Sequence, residues 1–110
     1  MKLFRAVSKA EKDDLERHVA FRTALNTLES KQFFKDKNAV KQYVRHAKQR
    51  DFYPPYEFIV EVEIKNVDMK NIKYEKLELD SSDAVNIPDN QLSSLSEKGK
   101  FKIYNIGDYI

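Results

Sequence analysis

Two periodicities alternate along this 110-residue chain, and that alternation constrains its fold most strongly. Phe58–Ile64 repeats apolar residues every second position, as strands do. Lys2–Val7 is a mostly apolar segment that is also predicted as a strand, and Lys31–Phe34 is predicted as a short strand that ends in two phenylalanines. Asn38–Gln49 instead carries apolar residues at helical spacing. With a further helix beginning at Ser8, the sequence predicts a compact α+β domain, in which mixed or antiparallel sheets pack against two main helices.

Length and composition bound the class of protein. A chain of 110 residues, 41% hydrophobic and 35% charged, forms one globular domain, here residues 1–110. The chain has no cysteine, which excludes disulfides, thiolate catalysis and zinc ribbons, and fits a reducing, cytoplasmic location. No apolar run reaches the roughly 20 residues that a membrane helix needs, and no secretion signal is visible, so we expect no membrane partner.

The charges are distributed unevenly between the two halves of the chain. Residues 1–50 carry 13 basic and 6 acidic side chains, and residues 51–110 carry 7 and 12, giving net charges of +7 and −5. Two interpretations stay open at this point. The charges pair across the fold, or a basic face is offered to a phosphate-bearing ligand or an acidic partner.

The first strand contains an arginine on an apolar face. Leu3, Arg5 and Val7 alternate and therefore share one side of the strand. A buried guanidinium needs a partner, so Arg5 either forms a salt bridge with an acidic residue or contacts a phosphate or ribose. Ser8 and Glu11 then form a capping box, in which the hydroxyl accepts a backbone N–H and the carboxylate reaches back.

The rest of the chain is predicted as shorter elements. Asn38 is expected to cap the second helix, and Glu57, Glu61 and Glu63 are expected on a solvated strand face. The remaining expectations, in chain order, are a loop at residues 22–29, a strand at Lys31–Phe34, an extended connection at Asp51–Tyr56, a turn at Asn66–Asn71, strands at Ile72–Leu79 and Ala84–Ile87, a brief helix from Asp89 to Gly99, and a last strand at Lys100–Ile106.

Few residues form a recognisable catalytic or metal-binding pattern. His18 and His46 each lack a second ligand at helical spacing, so we predict surface histidines and no metal site. No serine lies in a nucleophile elbow. Basic and aromatic residues that would suit stacking on nucleic-acid bases occur together in one short stretch, namely Lys48, Arg50, Phe52, Tyr53 and Tyr56.

The order of elements resembles the ADP-ribosyltransferase fold, in particular its small bacterial and phage members. The likeness runs over most of the chain and is carried by short motifs: Leu3–Ser8, Leu28–Phe34 with the helix at Ala39–Tyr43, Phe58–Ile64, and Ala84–Pro88 with the helix at Gln91–Leu95. The resemblance implies that NAD is bound as a substrate.

Carried over residue by residue, the resemblance implies an NAD site. Arg5 would touch the phosphate or ribose of NAD, and Ser30 and Lys31 would lie near the nicotinamide ribose. Phe33 or Phe34 would line the nicotinamide slot, with Tyr43 supporting it from the helix. The family's catalytic glutamate precedes its late strand, where this chain offers Asp83, whose side chain is one methylene shorter.

Two functions follow from the resemblance. In the first, the protein transfers ADP-ribose from NAD to a macromolecular target, protein or nucleic acid, as a toxin-like or phage effector, with Asp83 as the catalytic acid. In the second, it is a non-catalytic binding domain of inhibitor or immunity type, on a degenerate transferase-like scaffold. Asp83 in place of the family's glutamate favours the second function, whereas Arg5 and the Ser30–Phe34 motif favour the first.

Overall fold

The secondary structure follows the predicted order and adds two short helices. A computed structural model describes residues 1–21, 30–51, 55–79 and 82–109 of the chain. The elements are β1 (Lys2–Val7), α1 (Lys9–His18), β2 (Ser30–Phe34), α2 (Lys37–Gln49), β3 (Phe58–Glu63), α3 (Asn66–Met69), β4 (Glu75–Leu79), β5 (Ser82–Pro88), α4 (Asp89–Lys98), β6 (Lys100–Asn105) and α5 (Ile106–Tyr109). The α+β class is confirmed.

Within the described residues, six strands form one sheet in the order β4-β5-β2-β1-β3-β6. Every neighbouring pair is antiparallel, so the antiparallel form of the predicted pairing is the one observed. Two main helices and a brief third one were predicted; in the part of the chain that the structure describes, the third, α4, has 10 residues, as many as α1, and α2 has 13.

The pairing between strands is uneven. All six residues of β1 pair with β3, from Lys2 with Glu63 to Val7 with Phe58. Toward β2, by contrast, the register of β1 in the described residues is the one pair Phe4 with Phe34. The sheet therefore consists of two three-stranded halves, β4-β5-β2 and β1-β3-β6, which meet at a narrow seam between β1 and β2.

A separate apolar core covers each face of the sheet. On the first face, here called the α1 face, α1 and α4 pack over alternate strand residues, including Leu3, Val60 and Val85. On the second, the α2 face, α2 packs over the intervening residues, including Phe4 and Ile59. Because successive strand residues point to opposite sides, each central strand contributes to both cores.

The N-terminus of α1 forms only half of the predicted capping box. The Ser8 hydroxyl accepts the Glu11 backbone N–H at 3.4 Å, as expected. The Glu11 carboxylate does not reach back to the cap but binds Arg5 of β1 instead. A guanidinium offers two charge-assisted hydrogen bonds, which are stronger than one bond to a neutral backbone amide.

The second helix begins two residues earlier than predicted. Asp36, rather than Asn38, is the N-cap of α2, and its carboxylate accepts the Asn38 backbone N–H at 3.1 Å. The predicted inward face is confirmed, since Val40 and Val44 are buried. A carboxylate is also the more favourable cap, because it interacts better than an amide with the partial positive charge of a helix N-terminus.

The two faces of β3 differ less in solvent exposure than predicted. Val60 is fully buried, which confirms the dry face. Glu63 on the other side is exposed, but Glu61 is only 9% exposed, so the prediction that Glu61 is solvated was wrong. The Tyr104 hydroxyl donates to Glu61 at 3.4 Å, and the Lys2 ammonium lies 3.6 Å away, so two neighbouring strands cover this carboxylate.

Several boundaries in the second half of the chain also differ from prediction. Part of the expected turn at Asn66–Asn71 is the one-turn helix α3, and the following strand begins at Glu75 rather than Ile72. Asp89 lies inside α4, whose N-cap is Pro88. The predicted loop at residues 22–29 and residues 52–54 of the extended connection lie outside the described residues.

Candidate functional site

Three charged side chains converge on the α1 face beside the seam. Arg5 of β1 donates two hydrogen bonds to the Glu11 carboxylate of α1, at 2.6 and 2.9 Å. A third guanidinium N–H donates to the Gln32 carbonyl of β2 at 3.0 Å. The Lys31 ammonium of β2 lies 3.3 Å from the same Glu11 carboxylate. We call Arg5, Glu11 and Lys31 the charged triad; it joins β1, β2 and α1.

The charged triad is partly buried and carries a net charge of +1. The side chains of Arg5, Glu11 and Lys31 are 19%, 21% and 12% exposed. Burial alone would raise the pKa of Glu11, but the hydrogen bonds and charge of Arg5, together with Lys31, outweigh burial and hold that pKa below its ordinary value. Glu11 is therefore ionised at neutral pH, and both cations have a partner inside the protein.

The salt-bridge alternative for Arg5 is thus observed. The sequence indicated that some acidic residue would pair with this arginine, but it did not identify Glu11, which was assigned to the helix cap. The available signal was the position of Glu11 itself, one helical turn after Ser8 and therefore directly above the preceding strand. Three of the five N–H groups of the guanidinium are engaged within the protein.

The two predicted aromatic residues of the nicotinamide slot lie on opposite faces of the sheet. Phe33 is fully buried on the α1 face, in edge contact with Phe21 at 5.1 Å between ring centres and 5.9 Å from the Arg5 guanidinium carbon. Phe34 is 4% exposed on the α2 face. Because neighbouring residues of a strand point to opposite faces, only one of the two alternatives, Phe33, lies on the same face as Arg5, and both rings are packed in cores.

Tyr43 lies on the α2 face and therefore not beside Arg5. Its ring packs 5.2 Å from that of Phe34, and its hydroxyl lies 3.0 Å from the Tyr56 hydroxyl. Burial, followed by the hydrogen bond with Tyr43, raises the pKa of Tyr56 well above its ordinary value. The Tyr56 phenol therefore stays neutral at physiological pH, and the contact between the two hydroxyls is a polar link between α2 and the connection to β3.

Ser30 and Asp83 lie near opposite ends of the pairing between β2 and β5. Ser30 pairs with Pro88, and Phe34 pairs with Ala84, the residue after Asp83. Asp83 precedes Pro88 by five positions along the strand, which corresponds to about 17 Å. The backbone thus separates these two predicted residues, and their side chains lie outside the described set.

Two further classes of site are not found in the described residues. In residues 1–21, 30–51, 55–79 and 82–109, no three His, Asp or Glu side chains are grouped closely enough to hold a metal ion. His18 and His46 are both exposed. Within the same ranges, none of the helices combines the length and the apolar character needed to span a bilayer.

Comparison with known proteins adds no relative. No family model matches the chain, and no match was found among curated proteins or solved structures. The function therefore has to be inferred from the residues themselves.

Proposed function

We propose that this protein is a non-catalytic binding domain that acts by association with a macromolecular partner. The observation that carries this proposal is the engagement of Arg5, the residue expected to grip NAD, in two hydrogen bonds with Glu11 and one with the Gln32 carbonyl. An NAD phosphate would have to displace Glu11 or bind beside its negative charge. Either route weakens the attraction between an anion and a triad whose net charge is only +1.

The arrangement of the aromatic residues supports the same proposal. Phe33 and Phe34 are each inside a core, so stacking a nicotinamide on either ring would require opening that core. Fully exposing one buried phenylalanine costs about 1.5–3 kcal/mol before any ligand contact is made. Such a cost is large relative to the affinity that one stacked ring gains.

The charged triad then has a structural role at the seam. Since backbone pairing between β1 and β2 is limited to Phe4 and Phe34, the hydrogen bond from Arg5 to the Gln32 carbonyl adds a second link between these strands. Glu11 orients the guanidinium from α1, and Lys31 holds Glu11 from β2. On this account the arginine contributes to the fold rather than to substrate binding.

NAD-dependent transfer of ADP-ribose is the second candidate function. It is favoured by the nearness of Arg5 and Lys31, two cations that share one carboxylate and remain partly exposed. In this alternative a dinucleotide phosphate binds beside the triad, Asp83 supports the ribose, and the acceptor is a protein or a nucleic acid. This second candidate function also assumes that the fold is of the ADP-ribosyltransferase type.

Titration with NAD distinguishes the two candidates. We expect no heat of binding in calorimetry and no release of nicotinamide on incubation with NAD. Binding without nicotinamide release would indicate a degenerate scaffold and would leave the non-catalytic proposal standing. Nicotinamide release that is lost in Asp83→Ala, with an unchanged melting temperature, would overturn it in favour of the transferase, since a catalytic carboxylate acts on developing charge in the sugar.

A further inference from the structure

We propose that the outer surface of α2 binds the phosphate backbone of double-stranded nucleic acid. This surface, the basic face of α2, comprises Lys37, Lys41, Arg45 and Lys48 of the helix together with its C-cap residue Arg50. The first four are spaced by four, four and three residues, which places them in one stripe along the helix. The inference rests on the proposed binding function and names the class of partner.

The basic face has no internal counter-charge on its own helix. Positions 37–50 contain no aspartate or glutamate. Within the described residues, the exposed side chains of Arg45, Lys48 and Arg50 have no hydrogen-bond or ion-pair partner. On α1, by comparison, Lys12 lies 2.9 Å from Glu16, so that helix balances part of its own charge. Arg45 and Lys48 of α2, with Arg50 at its C-cap, are thus exposed cations on one helix that holds no acidic residue.

The remaining exposed residues of α2 favour nucleic acid over an acidic protein. They are amides and an imidazole, namely Asn38, Gln42, His46 and Gln49. Stable protein interfaces bury an apolar or aromatic centre, and the exposed positions of α2 offer none. Cations and amides without apolar residues are instead the side chains that contact phosphates, sugars and base edges.

A membrane surface fits this helix less well. Basic amphipathic helices bind bilayers by inserting their apolar side among the acyl chains. The apolar side of α2 is already buried against the sheet through Ala39, Val40 and Val44. Only its charged side is available, and that side can provide electrostatic contact without insertion.

The dimensions of α2 match a duplex. A helix of 13 residues is about 20 Å long, and Lys37 to Lys48 span about 16 Å. Over that distance duplex DNA presents on the order of nine phosphate charges, one per ~1.7 Å. Arg45 and Lys48, which lie on this stripe, can therefore each face a phosphate along one edge of a groove, and two or three ion contacts are sufficient for salt-sensitive binding.

The test is fluorescence anisotropy with a labelled duplex of about 20 base pairs, two helical turns. We expect binding at about 50 mM salt that weakens with added salt, with a slope of log K on log salt of about −2 to −4. The double variant Arg45→Glu/Lys48→Glu should lose at least about tenfold in affinity, and its slope should become shallower by about 2.

A matched control variant distinguishes an effect of the basic face on duplex affinity from an effect of the overall net charge. Lys65→Glu/Lys70→Glu changes the net charge by the same amount at exposed positions flanking α3, whose Met69 belongs to the core of the α1 face. We expect this control to bind the duplex within about threefold of the wild type, a shift that general charge alone explains. Circular dichroism of both variants checks that the fold is retained.

Three outcomes would overturn the inference. They are no duplex binding at about 50 mM salt, equal losses in the two double variants, or binding of a polyglutamate peptide or anionic vesicles through α2 when the duplex does not bind. The last outcome would leave the proposed binding function standing with a different partner. Nicotinamide release from NAD, measured separately, would remove the proposed function without affecting the anisotropy result.

Discussion

At the residue scale, Glu11 joins three separate interactions. Its backbone N–H is capped by Ser8, and its carboxylate binds both Arg5 and Lys31. A single carboxylate therefore determines how α1 lies on β1 and β2. Hydrogen bonds to charged groups each contribute about 1.5–3 kcal/mol, so this residue is among the most sensitive polar positions of the protein.

Replacing Glu11 by Gln should destabilise the protein in a pH-dependent manner. We expect a loss of about 1–3 kcal/mol at neutral pH, because the partly buried Arg5 loses its counter-charge. The pKa of Glu11 is lowered on folding, so its contribution is complete above the ordinary value of 4.5 and is lost as the pH falls through the folded value. Urea unfolding across this range measures the difference between variant and wild type.

The control for this variant is Glu97→Gln, an exposed position on α4 that should change stability by less than about 0.5 kcal/mol at every pH. A difference between Glu11→Gln and wild type that persists unchanged into strongly acidic solution would contradict the role given to the ionised carboxylate.

At the element scale, the junction between α4 and β6 depends on a glycine. A β-carbon on Gly99 would lie 2.6 Å from Val62 Cγ1 and 2.8 Å from the Leu95 carbonyl oxygen. The backbone of α4 thus approaches β3 more closely than any side chain permits. The glycine that the sequence indicated as a helix stop also allows this close packing.

Gly99→Ala should therefore cost roughly 1–3 kcal/mol, the usual range for overpacking a core. Gly107→Ala is the matched control, because nothing in the described residues lies within 4 Å of the added methyl group. Chemical denaturation of the two variants gives the comparison. Equal stability of the two would show that the α4–β6 junction adjusts without strain.

Particular elements show how far sequence reasoning reached. The strands β1 and β3 and the inward face of α2 were predictable, because their apolar residues are the ones that fill the two cores. The burial of Glu61 was not predictable, because Lys2 and Tyr104, which contact its carboxylate, lie on neighbouring strands. A single sequence does not show which strands are neighbours. Of the two phenylalanines offered for a nicotinamide slot, the alternation of side chains along β2 places Phe33 on the α1 face, near Arg5, and Phe34 on the α2 face.

At the scale of the whole molecule, the seam divides the sheet into halves that are each well paired. The charged triad and the packing of α1 and α2 join these halves where backbone pairing is limited to Phe4 and Phe34. We therefore expect the seam to open at a lower free energy than either half of the sheet, because regions with few cross-strand hydrogen bonds open more easily.

Arg5→Met tests the seam directly. We expect backbone amides of β2 and β5 to exchange with solvent roughly tenfold faster or more, while those of β3 and β6 change less, because the lost bonds link the two halves. Hydrogen exchange followed by NMR measures each strand. Lys9→Met removes an exposed cation from α1 and should leave the pattern unchanged. A uniform acceleration across the sheet would indicate general destabilisation instead.

The strand order also determines when this protein can fold. The chain passes from one half of the sheet to the other four times, between β1 and β2, β2 and β3, β3 and β4, and β5 and β6. Neither half is a continuous segment, and folding must bring Ser30 beside Pro88 and Phe58 beside Asn105. Such long loop closures slow folding, typically to milliseconds or longer. During synthesis on the ribosome, the backbone groups of β3 that pair with β6 have no partner until β6 emerges. Incomplete chains are therefore the species most prone to aggregate.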